Sequence, residues 1–406
     1  MQTQELDEAL SETQAEQEHS RGSRIITILF ITAVMLMLAL PAVLTNRIPV
    51  DWSPLDNRFL KARPIFSEEI FNDLTDYVAD RVGLRAGFIE AYQVTTDRCF
   101  HELNHPLFEY GKDDWIMTIN TDIVQTWHLE PDLNYAQTMG DFIAEARDIA
   151  EAEGAGLLFW LLPNKESIYP EYLPDEYNIN TAVKKTKTET ILEALDERDV
   201  EYVFPRELFL QLKQLHPETL LYNKKYDPLH WNQNGAFAAY SQLYQAIRKR
   251  FPAVTMLARE EFEITDVIEH YQCISCFPIN EPVPRYSLKT SRARIYESSN
   301  LYWDTVDRLN RNSFFMRSVN DDPALADTPK LLIFHDSYLM PYLGGTDFLS
   351  EHFREVTLIH NLNLSELRFF IQLYRPDLVI LESVEREMNP YADYYCYELA
   401  WNGFRE

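Results

Sequence analysis

Residues 331–339 read LLIFHDSYL, four apolar residues, then His-Asp-Ser, then the first residues of a helical pattern. A strand that turns sharply into a helix lifts a side chain above the sheet edge, which suits a serine hydroxyl for attack on an acyl group. Ser337 is that serine. A hydroxyl becomes reactive when a base takes its proton, and the base needs an acid to fix its tautomer. The segment Tyr226-Asp227-Pro228-Leu229-His230-Trp231-Asn232 supplies both, three residues apart. In this reading His230 takes and returns the proton. Asp227, held extended because it precedes Pro228, orients the ring. The Ser337 N–H, the Asn164 side chain and Tyr342 are candidate donors to the oxyanion. Lys165 beside Asn164 and Trp231 beside His230 are candidate substrate contacts. Each type also has a plainer use. An Asp-Ser caps a helix, an Asp-Pro turn with a nearby His is ordinary loop chemistry, and Asn164 can cap a turn. Tyr342 and Trp231 can simply pack in a core.

Three separate loops must converge for this chemistry, so the elements around them matter. Residues 156–162 (GLLFWLL) form a continuous apolar run, the pattern of a strand buried on both faces. Further strands are expected at 200–204, 331–334, 356–359 and 378–381, and helices at 68–92, 133–152, 186–198, 234–250, 338–353 and 364–374. Strands alternating with helices imply an α/β domain, a parallel sheet with helices on both faces. Catalytic groups in such sheets gather at the carboxyl ends of strands. Ser337 and Asn164 each follow a strand directly, and the Asp227–His230 loop leads into a helix. The stretch 253–330 breaks the rhythm and reads as an insertion.

Composition narrows the function. The formal charge of −27 excludes a nucleic-acid partner, which needs clustered Lys and Arg. It also favours a neutral substrate over a strongly anionic one. No charged residue lies between Arg24 and Arg47, and residues 25–45 match the roughly 20 apolar residues that span a bilayer. We read residues 25–46 as an uncleaved signal anchor in the inner membrane. Arg21 and Arg24 precede it and only Arg47 follows closely, which places the N-terminus in the cytoplasm and the rest in the periplasm or outside the cell. The expected organisation is a polar tail at 1–24, the anchor at 25–46, and an envelope tether with its leading helix at 47–110. An α/β domain at 111–390 follows, with the insertion at 253–330, and then a tail at 391–406. Four cysteines, Cys99, Cys273, Cys276 and Cys396, allow three pairings. Cys273 and Cys276 after His270 have metal-ligand spacing, but no second ligand cluster faces them, and a disulfide is the preferred reading. No cofactor is expected.

The chain resembles the SGNH-hydrolase-like proteins of alginate O-acetylation (AlgX/AlgJ type) and their DHHW-type relatives. The blocks that carry the resemblance are Asp56-Asn57-Arg58 with Pro64, Gly111 to Trp115, Pro163 to Pro174, and His230-Trp231-Asn232 with Gly235-Ala236-Phe237. Phe334 to Tyr338 with Pro341-Tyr342-Leu343 and Glu351-His352-Phe353, then Arg375-Pro376-Asp377 and Glu382 to Arg386, complete the series in the family's order. The resemblance implies an SGNH-hydrolase-like fold and O-acetyl transfer to an exported polysaccharide through an acetyl-serine on Ser337. It further implies an acetyl donor loaded by a multi-spanning membrane acyltransferase. Two departures stand out. The acid lies three residues before the His, where this family has two, and His335 precedes Asp336 where relatives often carry Gly or Arg. Asp336 itself reads as a turn-stabilising residue. An acetylesterase and a catalytically inactive glycan-binding or assembly protein are the competing functions.

Overall fold

The apolar run Gly156–Leu162 is a strand (β1), and every residue in it after Gly156 is buried. The computed structural model describes residues 23–36, 39, 52–53, 58–66, 69–105, 107–119, 133–177, 185–271, 279–297, 315–360 and 367–388. Six strands complete the sheet: Tyr202–Val203 (β2), Arg294–Glu297 (β3), Phe315–Val319 (β4), Lys330–His335 (β5), Glu355–His360 (β6) and Leu378–Val384 (β7). Their order is β2-β1-β7-β5-β6-β4-β3. The first five run parallel, while β4 lies antiparallel to both β6 and β3. The sheet is therefore mixed, not wholly parallel as expected. Its antiparallel edge comes from the stretch expected as an insertion, because an antiparallel strand can join an edge without a crossover helix.

Helices cover both faces. They are Leu133–Ala152 (α1), Lys187–Asp196 (α2), Arg206–Leu215 (α3), Gln233–Arg250 (α4) and Leu367–Tyr374 (α5). Side chains alternate along a strand, so Leu158, Trp160 and Leu162 pack with Phe209 of α3 and Tyr240, Leu243 and Ile247 of α4. Leu157, Phe159 and Leu161 share the opposite core with Phe142 and Ile143 of α1, Ile191 of α2 and Phe370 of α5. Each such buried side chain contributes about 1.5–3 kcal/mol. Local signals fix the helix starts. Thr186 and Glu189 form a reciprocal capping box on α2. Asn232 accepts the N–H groups of Asn234 and Gly235 at the start of α4.

Two expected helices differ. Residues 338–353 hold two tight turns, Ser337–Leu339 and Pro341–Leu343, followed by further turns. Pro341 breaks the helix, and Gly344 turns the chain with φ 92°. The helix expected at 68–92 is two helices, Ile70–Arg81 and Arg85–Phe100, parted at Leu84 with φ 62°.

The chain divides into two compact units. One comprises residues 1–100 with 272–277, and the other 101–271 with 278–406. The sheet unit thus starts at His101 and includes the strand pair Phe108–Tyr110 and Ile116–Thr118. A long hairpin, Phe262–Tyr271 with Ile279–Leu288, also occupies the expected insertion. In the first unit residues 23–36 are helical, with Ile25, Leu29 and Phe30 exposed. Among the described residues no helix is long and apolar enough to cross a membrane. Residues 37–38 and 40–46 of the expected span lie outside them, as do Cys273, Cys276 and Cys396, while Cys99 is a free, exposed thiol.

Candidate active site

Ser337 stands at the carboxyl end of β5 on a turn held by its neighbour. Asp336 accepts the Tyr338 N–H with one oxygen and the Val384 N–H with the other, each at 2.8 Å, stapling the turn to β7. Its own N–H donates to Glu382 at 2.9 Å. Burial pushes the Glu382 carboxyl well above its ordinary range, with repulsion from Asp336 adding to the effect. Asp336 is thus a turn-stabilising residue, as expected. Further along, a side chain at Gly345 would run into the Leu339 carbonyl, so only glycine lets the loop close behind Ser337. Ser337 remains partly exposed.

The base arrives on the loop before α4. A bridge between Tyr222 and Trp231 closes that loop, and the Asn232 N–H donates to the Leu221 carbonyl at 3.0 Å. With Asn232 locked as the helix cap, His230 is set two residues ahead of it. The Ser337 hydroxyl donates to His230 Nε2 at 2.8 Å. His230 Nδ1 meets both Asp227 oxygens, at 2.8 and 2.9 Å. A carboxylate only accepts, so Nδ1 carries the proton and Nε2 is left basic toward the serine. Burial works to raise the Asp227 pKa. The His230 charge and hydrogen bond, the Leu229 N–H and Arg386 outweigh it and hold the carboxyl below its ordinary 3.8.

The three-residue spacing is accommodated by a backbone that the Asp-Pro sequence does not suggest. Asp227 has φ 43°, in the left-handed region, not the extended conformation expected before proline. Aspartate enters that region more readily than most residues. Two side chains then grip the loop between acid and base. Tyr338 Oη donates to the Leu229 carbonyl at 2.7 Å and Arg386 Nη1 to the same oxygen at 3.0 Å.

The remaining expected residues divide. Asn164 lies two residues past β1, at the N-cap position of the turn Lys165–Ile168; it is 1% exposed, and its N–H donates to Glu385 at 2.8 Å. Among the described residues neither end of its side-chain amide has a partner. A buried amide with no partner of any kind costs about 1–3 kcal/mol, so a water or a ligand group is the partner this amide is free to take. Tyr342 is half exposed, its ring edge-on to His230 at 6.5 Å. Lys165 and Trp231 do not take the substrate-facing places expected for them. Lys165 Nζ is buried and donates to the carbonyls of Ile116 (2.7 Å) and Lys224 (3.2 Å). Burial pushes it down to about 8. Trp231 is wholly buried, with its ring edge-on to Tyr338.

Sequence reasoning missed Tyr338, Glu385 and Arg386 as parts of this site. Glu385 accepts from Ser167 and Thr188 as well as Asn164, so it anchors the loop after β1. Both Glu385 and Arg386 directly follow β7, which lies between β1 and β5. The carboxyl-edge rule that selected Ser337 and Asn164 would have selected them too.

A mixed α/β layer thus carries serine, imidazole and carboxylate in hydrogen-bonded series at the carboxyl edge of its sheet. Residues 109–273 match the family described as SGNH hydrolase-like domain, acetyltransferase AlgX, in agreement with the resemblance read from the sequence. Three solved structures are similar. Bacillus cereus PatB1 with a sulfonyl adduct is 14% identical with a TM-score of 0.48, covering 69% of this chain and 96% of that one. The O-acetyltransferase domain of Pseudomonas putida AlgJ is 16% identical with a TM-score of 0.47, covering 74% and 100%. A DHHW family protein from Eubacterium siraeum is 13% identical with a TM-score of 0.45, covering 71% and 94%. No curated protein matches the chain.

Proposed function

We propose that this protein is a membrane-anchored O-acetyltransferase that modifies an exported cell-surface polysaccharide through an acetyl-serine on Ser337. The observation that carries the reading is the unbroken series from Ser337 Oγ through His230 to Asp227. His230 removes the hydroxyl proton as Oγ bonds the acetyl carbon, and returns it to the donor's leaving group. A sugar hydroxyl then gives its proton to the same imidazole and attacks the acetyl carbon; the acyl–Oγ bond breaks, and His230 returns the proton to Oγ. The Ser337 N–H and the unpaired Asn164 amide are the groups available to hold the oxyanion in both halves. The match of residues 109–273 to an acetyltransferase family supports transfer over other acyl chemistry. In this reading residues 25–46 tether the domain to the outer face of the inner membrane, and a multi-spanning acyltransferase supplies the acetyl group. Hydrolysis is the second reading, favoured by the partial exposure of Ser337, which lets water reach the acyl-enzyme.

The test is to incubate the full-length, detergent-solubilised protein with an activated acetyl ester and a neutral oligosaccharide. The expected result is a mass gain of one acetyl group on Ser337, absent from Ser337→Ala, and oligosaccharide acetylated faster than acetate is released. Release of acetate alone makes the protein an esterase. Acylation that persists in Ser337→Ala places the nucleophile elsewhere, and no acylation in wild type or variant leaves glycan binding or assembly as the protein's role.

A further inference from the structure

The segment that leads into the acid, from Asn223 to Tyr226, lies in neither strand nor helix, so its backbone groups need outside partners. Glu281, in the strand Ile279–Leu288 of the long hairpin, supplies three. The N–H groups of Lys224, Lys225 and Tyr226 each donate to its carboxylate at 2.7 Å, the first to Oε1 and the others to Oε2. Successive amides that converge on one anion form a nest, and here the anion is a side chain more than fifty residues along the chain. The opposite side of the segment is also held. The Lys224 carbonyl accepts from the Ile116 N–H at 3.0 Å and from Lys165 Nζ at 3.2 Å. The next residue is Asp227, with its left-handed φ. A non-glycine residue persists in that region when its surroundings over-determine it.

The same hairpin reaches the loop after the serine. Arg285 Nη1 donates to the Tyr342 carbonyl at 2.6 Å. Gln233 links the two as well, its amide nitrogen donating to the Tyr342 carbonyl at 3.0 Å and its amide oxygen accepting the Tyr286 N–H at 2.6 Å. One element thus holds the loops on both sides of the relay.

We propose that Glu281 is a positioning residue for acyl transfer: by gathering three amides it fixes the backbone of Asp227 so that the carboxylate meets His230. It acts through Asp227 and touches no substrate. The assignment rests on reading Ser337, His230 and Asp227 as the acyl-transfer relay.

The test compares Glu281→Ala, Glu281→Gln, Asp227→Asn and the double variant Glu281→Ala/Asp227→Asn in the full-length protein. Hydrogen exchange of peptides across residues 224–230 should quicken in Glu281→Ala, and less in Glu281→Gln, which keeps one accepting oxygen. The kcat for Ser337 acetylation by an activated ester should fall on the order of tenfold to a hundredfold in Glu281→Ala, with KM little changed. In the Asp227→Asn background the same substitution should cost nothing further, since both changes act through one carboxylate. Unchanged exchange, full activity despite faster exchange, or losses that multiply in the double variant would each overturn the assignment. Ser337→Ala tests the relay separately, because the exchange measurement reports what Glu281 holds whether or not the serine is acylated. If Glu281→Ala does not fold, Glu281→Gln carries the comparison.

Discussion

The proton on His230 Nδ1 decides the chemistry of the site. It is there because Asp227 is ionised and can only accept, which leaves Nε2 free to take the Ser337 proton. An amide at 227 could offer an N–H instead and favour the opposite tautomer. Asp227→Asn is therefore expected to lower kcat on the order of 10³–10⁴-fold while leaving the fold intact, as read by single-turnover acylation beside a melting curve. The same carboxylate gives a signature in acid. Its folded pKa lies below the ordinary 3.8, so its contribution is fully present above 3.8 and disappears as pH falls through the lowered value. Urea midpoints of wild type and Asp227→Asn should accordingly move toward the variant's favour below that pH. Asn164 makes the contrasting case. Its amide is buried and pairs with no described residue, so Asn164→Ala removes no hydrogen bond to a described protein group. It should lose about 10²–10³-fold in kcat while unfolding no more easily than wild type. An equal loss of stability and activity would instead make Asn164 structural. The relay was legible because its acid and base share one short segment and its serine follows an obvious strand. The role of Lys165 was not. It adjoins Asn164 in sequence, yet the helical turn Lys165–Ile168 sends its ammonium to the carbonyls of Ile116 and Lys224.

At the scale of elements, legibility followed how local the deciding interaction is. The strand Gly156–Leu162 could be read to the residue because seven consecutive apolar or small residues suit one environment, burial on both faces. The helix expected across 338–353 does not form, because Pro341 and the Gly344-Gly345 pair interrupt the apolar spacing that suggests it. Those breakers serve the site: they fold the chain back under Ser337, and the Leu339 carbonyl occupies the place of a side chain at 345. Gly345→Ala is thus expected to destabilise the protein by about 1–3 kcal/mol, measured by denaturant titration, and to slow acylation by displacing the turn. The hairpin's hold on the Asp227 loop was invisible for another reason. Glu281 meets its three amides only through the tertiary fold, and no periodicity or spacing in the sequence links them. Lys165 closes the same clamp from the other side, and its burial makes the clamp responsive to alkali. With a folded pKa of about 8 against an ordinary 10.5, the unfolded chain binds more protons between those values. Its contribution to stability therefore rises with pH across that window. Lys165→Met should flatten the rise, seen as a smaller change in urea midpoint between the two ends.

For the whole molecule, the charge of −27 bears on which acceptor the proposed transfer would favour. In the proposed transfer the relay does not itself discriminate among sugars, since any hydroxyl that reaches His230 Nε2 can donate its proton there. Discrimination must come from farther out, from the field a polymer meets as it approaches. An acidic surface repels a polyanion over roughly a Debye length, about 10 Å at 0.1 M salt, and the repulsion weakens as salt is added. A neutral glycan feels none of it. Transfer to a uronate oligosaccharide is thus expected to accelerate as ionic strength rises from about 0.01 M to about 0.1 M, chiefly through a falling KM. Transfer to a neutral oligosaccharide of the same length should stay flat. The measurement is initial acetylation rates for both acceptors at matched concentration across the salt series. If the uronate is preferred at low salt and loses that preference as salt is added, a local basic cleft overrides the global field. The acceptor in the proposed reaction would then be an acidic polysaccharide despite the composition of the chain.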